Sequence, residues 1–513
     1  MARRYRLLAS LGLLLASTFA VFALFEAAPG GPIVAYFPWL FRVLHGDLGW
    51  SPSNSEPVSQ AIVDRLPATI ELALCAFAAA VVLGAVIGFA RTRTRPRILR
   101  GGLSVVQLLC RAIPIVVLAI ALQLLLMFTT RLPIAGIASV DTFDLRDRFL
   151  HLIAPVLCLA VPFGAWSSLI FYDLFRRSEK PARPTLRDLV GGVAVSAARI
   201  GPALLSASLL IESRFAWPGI ARLYSNGVAQ RDTALVGGVL LAYSAAVVLL
   251  QLCAEFSTGS PRVLAGSRRR FSAIGVTACV VLLLAAFGAL TANLIVPVGP
   301  YLIDQVHWQG YPLAPGTAGH VLGTDENGRD LLSRLLVGLR TSLGIAAFAA
   351  VIASAIAALV AMAMNSLHAV ADRSALSIIG IRPFGAFPFI LAAVSVLVTR
   401  FHTIGVLNPR VIALLIAAVS WPAIVPAFRA LTPATLGAVA DLTACALLLE
   451  VTLSLYGLGV QPPTPSLGNI LANMQSNMTV APWVVIAPTV VVIVTLFALY
   501  AVADELREGR TAR

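Results

Sequence analysis

Lysine is almost missing from this chain: Lys180 is the only one in 513 residues. It sits in Arg-Ser-Glu-Lys-Pro with no glycine frame around it. A phosphate-binding P-loop needs a lysine behind Gly-x-x-x-x-Gly, because the ammonium reaches the β- and γ-phosphates. The chain therefore cannot hydrolyse ATP by that route. Charge of either sign is scarce, at 12% of residues against about a quarter in soluble domains. The six cysteines (Cys75, Cys110, Cys158, Cys253, Cys279, Cys445) lie far apart inside apolar runs, as small hydrophobes do. They form neither a disulfide frame nor a metal motif. The six histidines lack His-x-x-x-His or similar spacing. No His-Glu-x-x-His, cysteine–histidine cluster or Gly-rich phosphate loop occurs, so an enzyme reading rests on nothing.

What is abundant is apolar sequence: 58% of residues are hydrophobic and mean hydropathy is +0.88. Runs of about 18–25 residues, long enough to cross a bilayer, lie near 7–25, 68–90, 102–129, 150–171, 189–211 and 234–256. A second set lies near 271–293, 342–364, 377–399, 410–428, 434–457 and 482–503. The first run follows Arg3, Arg4 and Arg6 like a signal peptide, but it is longer than a signal core. It reads as the first span. With the N-terminus inside, Arg91-Thr-Arg-Thr-Arg-Pro-Arg, the 176–187 segment and Arg268-Arg-Arg fall on one side. That side then carries about 22 basic residues against about 13, as the positive-inside rule asks. The net charge of +14 is an orientation signal of this kind rather than a nucleic-acid footprint. The expectation is an all-α polytopic membrane protein of about 12 transmembrane helices with both termini cytoplasmic.

The halves repeat. Leu209-Leu-Ile-Glu-Ser-Arg-Phe-Ala-Trp-Pro-Gly-Ile aligns with Leu447-Leu-Leu-Glu-Val-Thr-Leu-Ser-Leu-Tyr-Gly-Leu, each ending a span with a carboxylate and then a glycine-containing turn. Arg65-Leu-Pro-Ala-Thr-Ile-Glu-Leu and Gly338-Leu-Arg-Thr-Ser-Leu-Gly each lead into the second span of a half. Repeats of this sort build transporters with a pathway at the repeat interface. The expected division is 1–256 and 271–513, joined by a basic cytoplasmic linker at 257–270.

The most specific stretch runs from His320 to Leu343 and contains Leu-Gly-Thr-Asp-Glu-Asn-Gly-Arg-Asp-Leu-Leu-Ser-Arg. With Tyr456-Gly-Leu-Gly-Val-Gln-Pro-Pro-Thr-Pro-Ser-Leu-Gly-Asn, it resembles the second permease subunit of dipeptide/oligopeptide/nickel ABC importers. The first half resembles the first subunit through Ala28-Pro-Gly-Gly-Pro, Leu44-His-Gly-Asp-Leu-Gly, Arg65-Leu-Pro-Ala-Thr-Ile-Glu-Leu, His151-Leu-Ile-Ala-Pro and Phe215-Ala-Trp-Pro-Gly-Ile. The resemblance implies two fused six-helix ABC importer permease units in a bacterial inner membrane. It also implies ABC ATPase subunits inside, which bind the ATP, a solute-binding protein outside, and alternating access between them; this chain carries no cofactor.

The cytoplasmic side departs from that family, which places a coupling helix with a Glu-Ala-Ala pattern between the fourth and fifth spans. Here the first half offers only Phe175-Arg-Arg-Ser-Glu-Lys-Pro-Ala-Arg-Pro-Thr, with two prolines that interrupt a helix. The second half offers Arg429-Ala-Leu-Thr-Pro. A permease-derived membrane scaffold that has lost ATPase coupling is therefore the alternative function.

Candidate gate or pathway residues are Glu212, Glu450, Arg111 and Arg382, because ionisable groups at membrane depth usually face a pathway or partner. The bland alternatives are that the carboxylates reach interfacial water and that the arginines snorkel. Should the glutamates act, the expected role is pinning the turn that narrows an outer gate. Asp325, Arg329 and Asp330 are the candidate binding-protein contact; Asp330 also suits capping of a helix starting at Leu331. Leu331, Leu332, Leu335 and Leu336 suggest a short amphipathic segment lying on the outer surface before the span. Trp217-Pro218 and Trp421-Pro422 read as interfacial anchors beside kinks.

Overall fold

The computed structural model describes residues 32–94, 96–129, 133, 135–137, 144–177, 185–257, 272–296, 299–304, 312–366, 408–430 and 433–508. Chain contacts divide it into two compact units: residues 32–257 fall in the first, and 272–366 with 408–508 in the second. The expected spans at 7–25 and 377–399, and Arg382, lie outside the described residues.

The first unit opens with α1 (Pro32–Leu44) and a two-stranded antiparallel hairpin, β1 (Trp50–Ser51) and β2 (Glu56–Pro57). Helices α2 (Val58–Arg93), α3 (Arg97–Ala112), α4 (Ile115–Thr129), α5 (Leu145–Arg177), α6 (Leu186–Arg214), α7 (Ile220–Ala229) and α8 (Thr233–Ser257) follow. Helix α2 packs along α5 through small residues. Leu72, Ala76 and Ala80 recur every fourth residue and are fully buried. A Cβ on Gly84 would stand 2.5 Å from the Cβ of Ser167, and one on Gly88 would stand 2.9 Å from the Tyr172 N. Two backbones can come this close only where side chains are missing, and such small-residue seams join helices in lipid. Leu74, Val82 and Val86 stay exposed on α2, a face suited to acyl chains.

The third expected span is not one straight helix. Between α3 and α4 the axis bends by 96° at Ile113-Pro114. Pro114 has no N–H to give, and the residue before a proline is pushed out of the helical region. Ile113 sits accordingly at φ −75° and ψ 118°. The arginines ahead of the bend are used locally: Arg91 donates to the Gln107 and Ser104 side chains, and Arg100 to the Thr94 carbonyl.

The second unit contains α9 (Ala273–Leu290), α10 (Ala292–Ile295), α11 (Leu331–Ser366), α12 (Pro409–Ser420), α13 (Val425–Ala430), α14 (Pro433–Leu455), α15 (Leu467–Ile470), α16 (Met474–Val480) and α17 (Pro482–Glu508). Helix α14 packs against α17 and α11, and α9 packs against α17. A tighter helical turn, Trp421–Ile424, separates α12 from α13 at the Trp421-Pro422 step. Helix α11 corrects a second expectation. Leu331 and Leu335 are buried and belong to the first turns of one continuous 36-residue helix rather than to a segment separate from it.

The protein is an all-α polytopic membrane protein. Among the described residues, seven helices are long and apolar enough to cross a membrane, or eight if the bent α3–α4 pair is one span. The expected twelve is thus not reached within the described residues.

Candidate functional site

In both halves a buried carboxylate near the end of a span stands beside a turn and a short helix. In the first unit Glu212 lies in the last turn of α6 and is fully buried. Its Oε2 accepts the Ala221 N–H at 2.8 Å, and its Oε1 accepts the Tyr243 hydroxyl of α8 at 3.5 Å. The Thr69 hydroxyl of α2 accepts the Ile220 N–H at 2.9 Å. The first turn of α7, which would otherwise leave N–H groups unpaired, is thereby closed by side chains from two other helices. The chain between them, Phe215 to Gly219, turns sharply. Ala216 takes φ +51°, the Trp217 N–H donates to the Glu212 carbonyl at 2.9 Å, and the Gly219 N–H donates to the Trp217 carbonyl at 2.8 Å. A Cβ on Gly219 would stand 2.5 Å from Glu212 Cδ and 2.6 Å from Thr69 Oγ1. Glycine is required there for closeness of approach, not for its backbone angles, which are extended.

Two expectations are corrected here. The carboxylates do not reach interfacial water: Glu212 and Glu450 are each 0% exposed, and protein groups donate to both oxygens of Glu212 and to one of Glu450. Trp217 is no interfacial anchor either. It is fully buried in the first unit's core, and its Nε1–H donates to the Ala68 carbonyl at 2.9 Å.

The second unit repeats the plan with different groups. Glu450, in α14, accepts the Ser454 hydroxyl at 2.8 Å, and Ser454 Oγ in turn accepts the Val460 N–H at 3.0 Å. The Ser342 hydroxyl of α11 accepts the Leu467 N–H, the first of α15, at 3.0 Å. Ser466 and Asn469 close a reciprocal cap on the same helix. Here too small residues are demanded by contact: a Cβ on Gly459 would stand 2.5 Å from the Ser454 N, and one on Gly468 2.5 Å from the Val451 carbonyl.

Arg111 ends α3 and is buried, its guanidinium 3.9 Å from the centre of the Trp166 ring, a cation–π contact. The Asp325–Asp330 turn lies ahead of α11. Asp325 accepts the Asn327 and Arg329 N–H groups, each at 2.9 Å, and pairs with Arg329 Nε at 2.9 Å. Asp330 caps α11 as expected, accepting the Ser333 N–H at 2.8 Å, and also accepts from His320 Nδ1 at 2.9 Å. Both aspartates are buried; the turn's exposed residues are Glu326 and Asn327. Glu326 accepts from Asn473 and Asn477 at 2.8 and 2.9 Å. Burial alone would raise its carboxyl, but these amides and the neighbouring Arg329 outweigh that and hold it below the usual carboxylate range.

No protein-family model matches the chain. The oligopeptide transport system permease protein OppC of Escherichia coli K12 is 30% identical over 276 residues, which are 47% of this chain and 89% of that protein. The chain belongs to the permease family of peptide ABC importers. A Brucella suis protein named as a peptide permease is 28% identical over 313 residues, 50% of this chain and 97% of its own length. A peptide transport system permease protein of Brucella abortus is 29% identical over 250 residues, 45% and 80% respectively. Membership makes the chain a multi-pass inner-membrane permease component.

For this permease, reading the repeat from sequence found the two carboxylates and missed their partners. Tyr243 lies in no repeated segment, and Thr69, Ser342 and Ser454 lie in segments whose charged and glycine residues drew the reading instead. The available signal was the hydroxyl at the matching step of Ala68-Thr-Ile and Thr341-Ser-Leu in the two repeated segments.

Proposed function

We propose that this permease is the translocation subunit of an importer for peptides or a related small solute, working by alternating access. ATP is bound and hydrolysed in separate ATPase subunits, and an extracytoplasmic binding protein delivers the solute. The observation that carries the reading is one of length. Each relative aligns over most of itself and only about half of this chain, as two permease-length units fused in tandem require. The doubled arrangement of a buried carboxylate and a capped short helix supports it. In this reading 1–256 and 271–513 are the units, 257–270 is the cytoplasmic linker, and both termini are cytoplasmic. Glu212 and Glu450 hold the turns that narrow the outer gate, while Arg111 and Arg382 border the pathway. Asp325, Arg329 and Asp330 shape the loop presented to the binding protein.

Affinity purification from the native membrane in mild detergent tests this. Recovery of a stoichiometric ABC ATPase supports the importer. Recovery of the intact chain alone, under conditions where a relative keeps its ATPase, refutes it. The short connections between α5 and α6 and between α13 and α14 make that outcome informative.

A further inference from the structure

We infer that Thr69 and Ser342 are positioning residues for translocation. Each ties the long helix that bears it, α2 or α11, to the first N–H of its unit's short turn helix, so that movement of the long helix is passed to the turn. The inference rests on the importer reading and adds to it the residues that transmit the motion.

Three observations converge. The contact is the same in both units: Ile220 N–H to Thr69 Oγ1 at 2.9 Å, and Leu467 N–H to Ser342 Oγ at 3.0 Å. The hydroxyls come from 151 and 125 residues away, whereas an ordinary helix cap is supplied by the residue just ahead of the helix. Both hydroxyls are buried, and both contacts are enforced by glycine. A Cβ on Gly219 would stand 2.6 Å from Thr69 Oγ1, and one on Gly338 would stand 3.2 Å from the Ser466 carbonyl carbon and 3.4 Å from the Leu467 N.

A single hydrogen bond between neutral groups is weak enough to break and remake within a transport cycle. An N–H left unpaired in a dry site is nonetheless costly, so at rest the two elements stay together. The glutamates differ in how they join in. Glu212 receives the next N–H of its short helix directly, while Glu450 acts on its turn through Ser454. The hydroxyl, not the carboxylate, is the element that both units share in the same geometry.

The test uses the full chain with its ATPase subunits and binding protein in proteoliposomes, and radiolabelled trialanine as the probe. Thr69→Val and Ser342→Ala remove the hydroxyl with little change of shape; Thr69→Ser and Ser342→Thr keep it. Each of the first two is expected to lower the maximal uptake rate about tenfold with KM unchanged, and each of the second two to restore it. Amide exchange at Ile220 or Leu467 in the purified chain is expected to rise only where the hydroxyl is lost. Wild-type uptake by Thr69→Val and Ser342→Ala overturns the role in translocation. Failure of the hydroxyl-keeping variants to restore uptake overturns it too, because packing would then be what matters. Unchanged amide exchange overturns the tie itself. If the wild-type assembly neither moves trialanine nor hydrolyses ATP, the importer reading fails and the translocation role falls with it, while amide exchange still reports on the tie.

Discussion

Replacing Gly219 with alanine adds one methyl group at the tightest point of the first unit. The backbone there is extended, at φ −89° and ψ −176°, so alanine adopts it without conformational strain. The whole effect must therefore come from contact. The new carbon would stand 2.5 Å from Glu212 Cδ and 2.6 Å from Thr69 Oγ1, about an ångström inside normal separation. Either the turn or both side chains must give way. Overpacking of this kind costs about 1–3 kcal/mol. Displacing the hydrogen bonds to Ile220 and Ala221 adds about 1 kcal/mol each. A total of about 3–5 kcal/mol is expected. The control is Gly191→Ala, in the second turn of α6, where an added Cβ meets nothing within 4 Å. Alanine there should be neutral or stabilising by about 0.5–1 kcal/mol, since glycine weakens a helix. Thermal unfolding of the two detergent-purified variants, read against wild type, makes the comparison. If Gly219→Ala unfolds at the same midpoint as Gly191→Ala, the close approach of turn, hydroxyl and carboxylate is wrong.

Two further outcomes can be measured on the same material. Asp330→Ala removes the cap of α11 and one partner of His320, and should cost about 1–2 kcal/mol, with amide exchange rising first at Ser333. Asp232 fastens the β-hairpin to the start of α8, accepting the Ser51 and Ser53 hydroxyls at 2.6 and 2.7 Å and the Leu235 N–H at 3.0 Å. Burial pushes its carboxyl up, but these bonds prevail and hold it below the ordinary value. A depressed carboxyl contributes stability that is complete above the unfolded value and lost as pH falls through the folded one. Protease cutting within 50–57 should therefore be slow at neutral pH and rise in acid. Asp232→Asn should cut faster at neutral pH and respond little to acid; a variant with the wild-type pH response would refute the assignment.

Much of the architecture was legible in the sequence because apolar run length and helix punctuation are local properties. The runs at 68–90, 150–171, 189–211, 271–293, 434–457 and 482–503 each coincide with a helix long enough to span. Asp330 was readable as a cap, since capping needs only the next three residues. The third run is bent where a signal was present: Pro114 stands between two apolar stretches, yet hydropathy sums across it, and only the backbone shows the 96° bend. The leucines at 331–336 misled for a related reason, because a helical stripe has the same period whether it lies on a surface or continues into a span.

The fate of the carboxylates divides the two kinds of information. By itself the sequence determined that Glu212 and Glu450 end matched spans, that glycines follow them, and that no lysine is there to hold nucleotide. Only the tertiary structure decided that both are sealed from solvent, that Trp217 is core, and that Thr69 and Ser342 meet the short helices. The physical reason is range. A buried charge or N–H is satisfied by whatever group the fold brings within about 3 Å. The carboxylates find theirs 4 to 31 residues along the chain, but the Ile220 and Leu467 N–H groups are met by hydroxyls 151 and 125 residues away, which nothing local to the short helices announces.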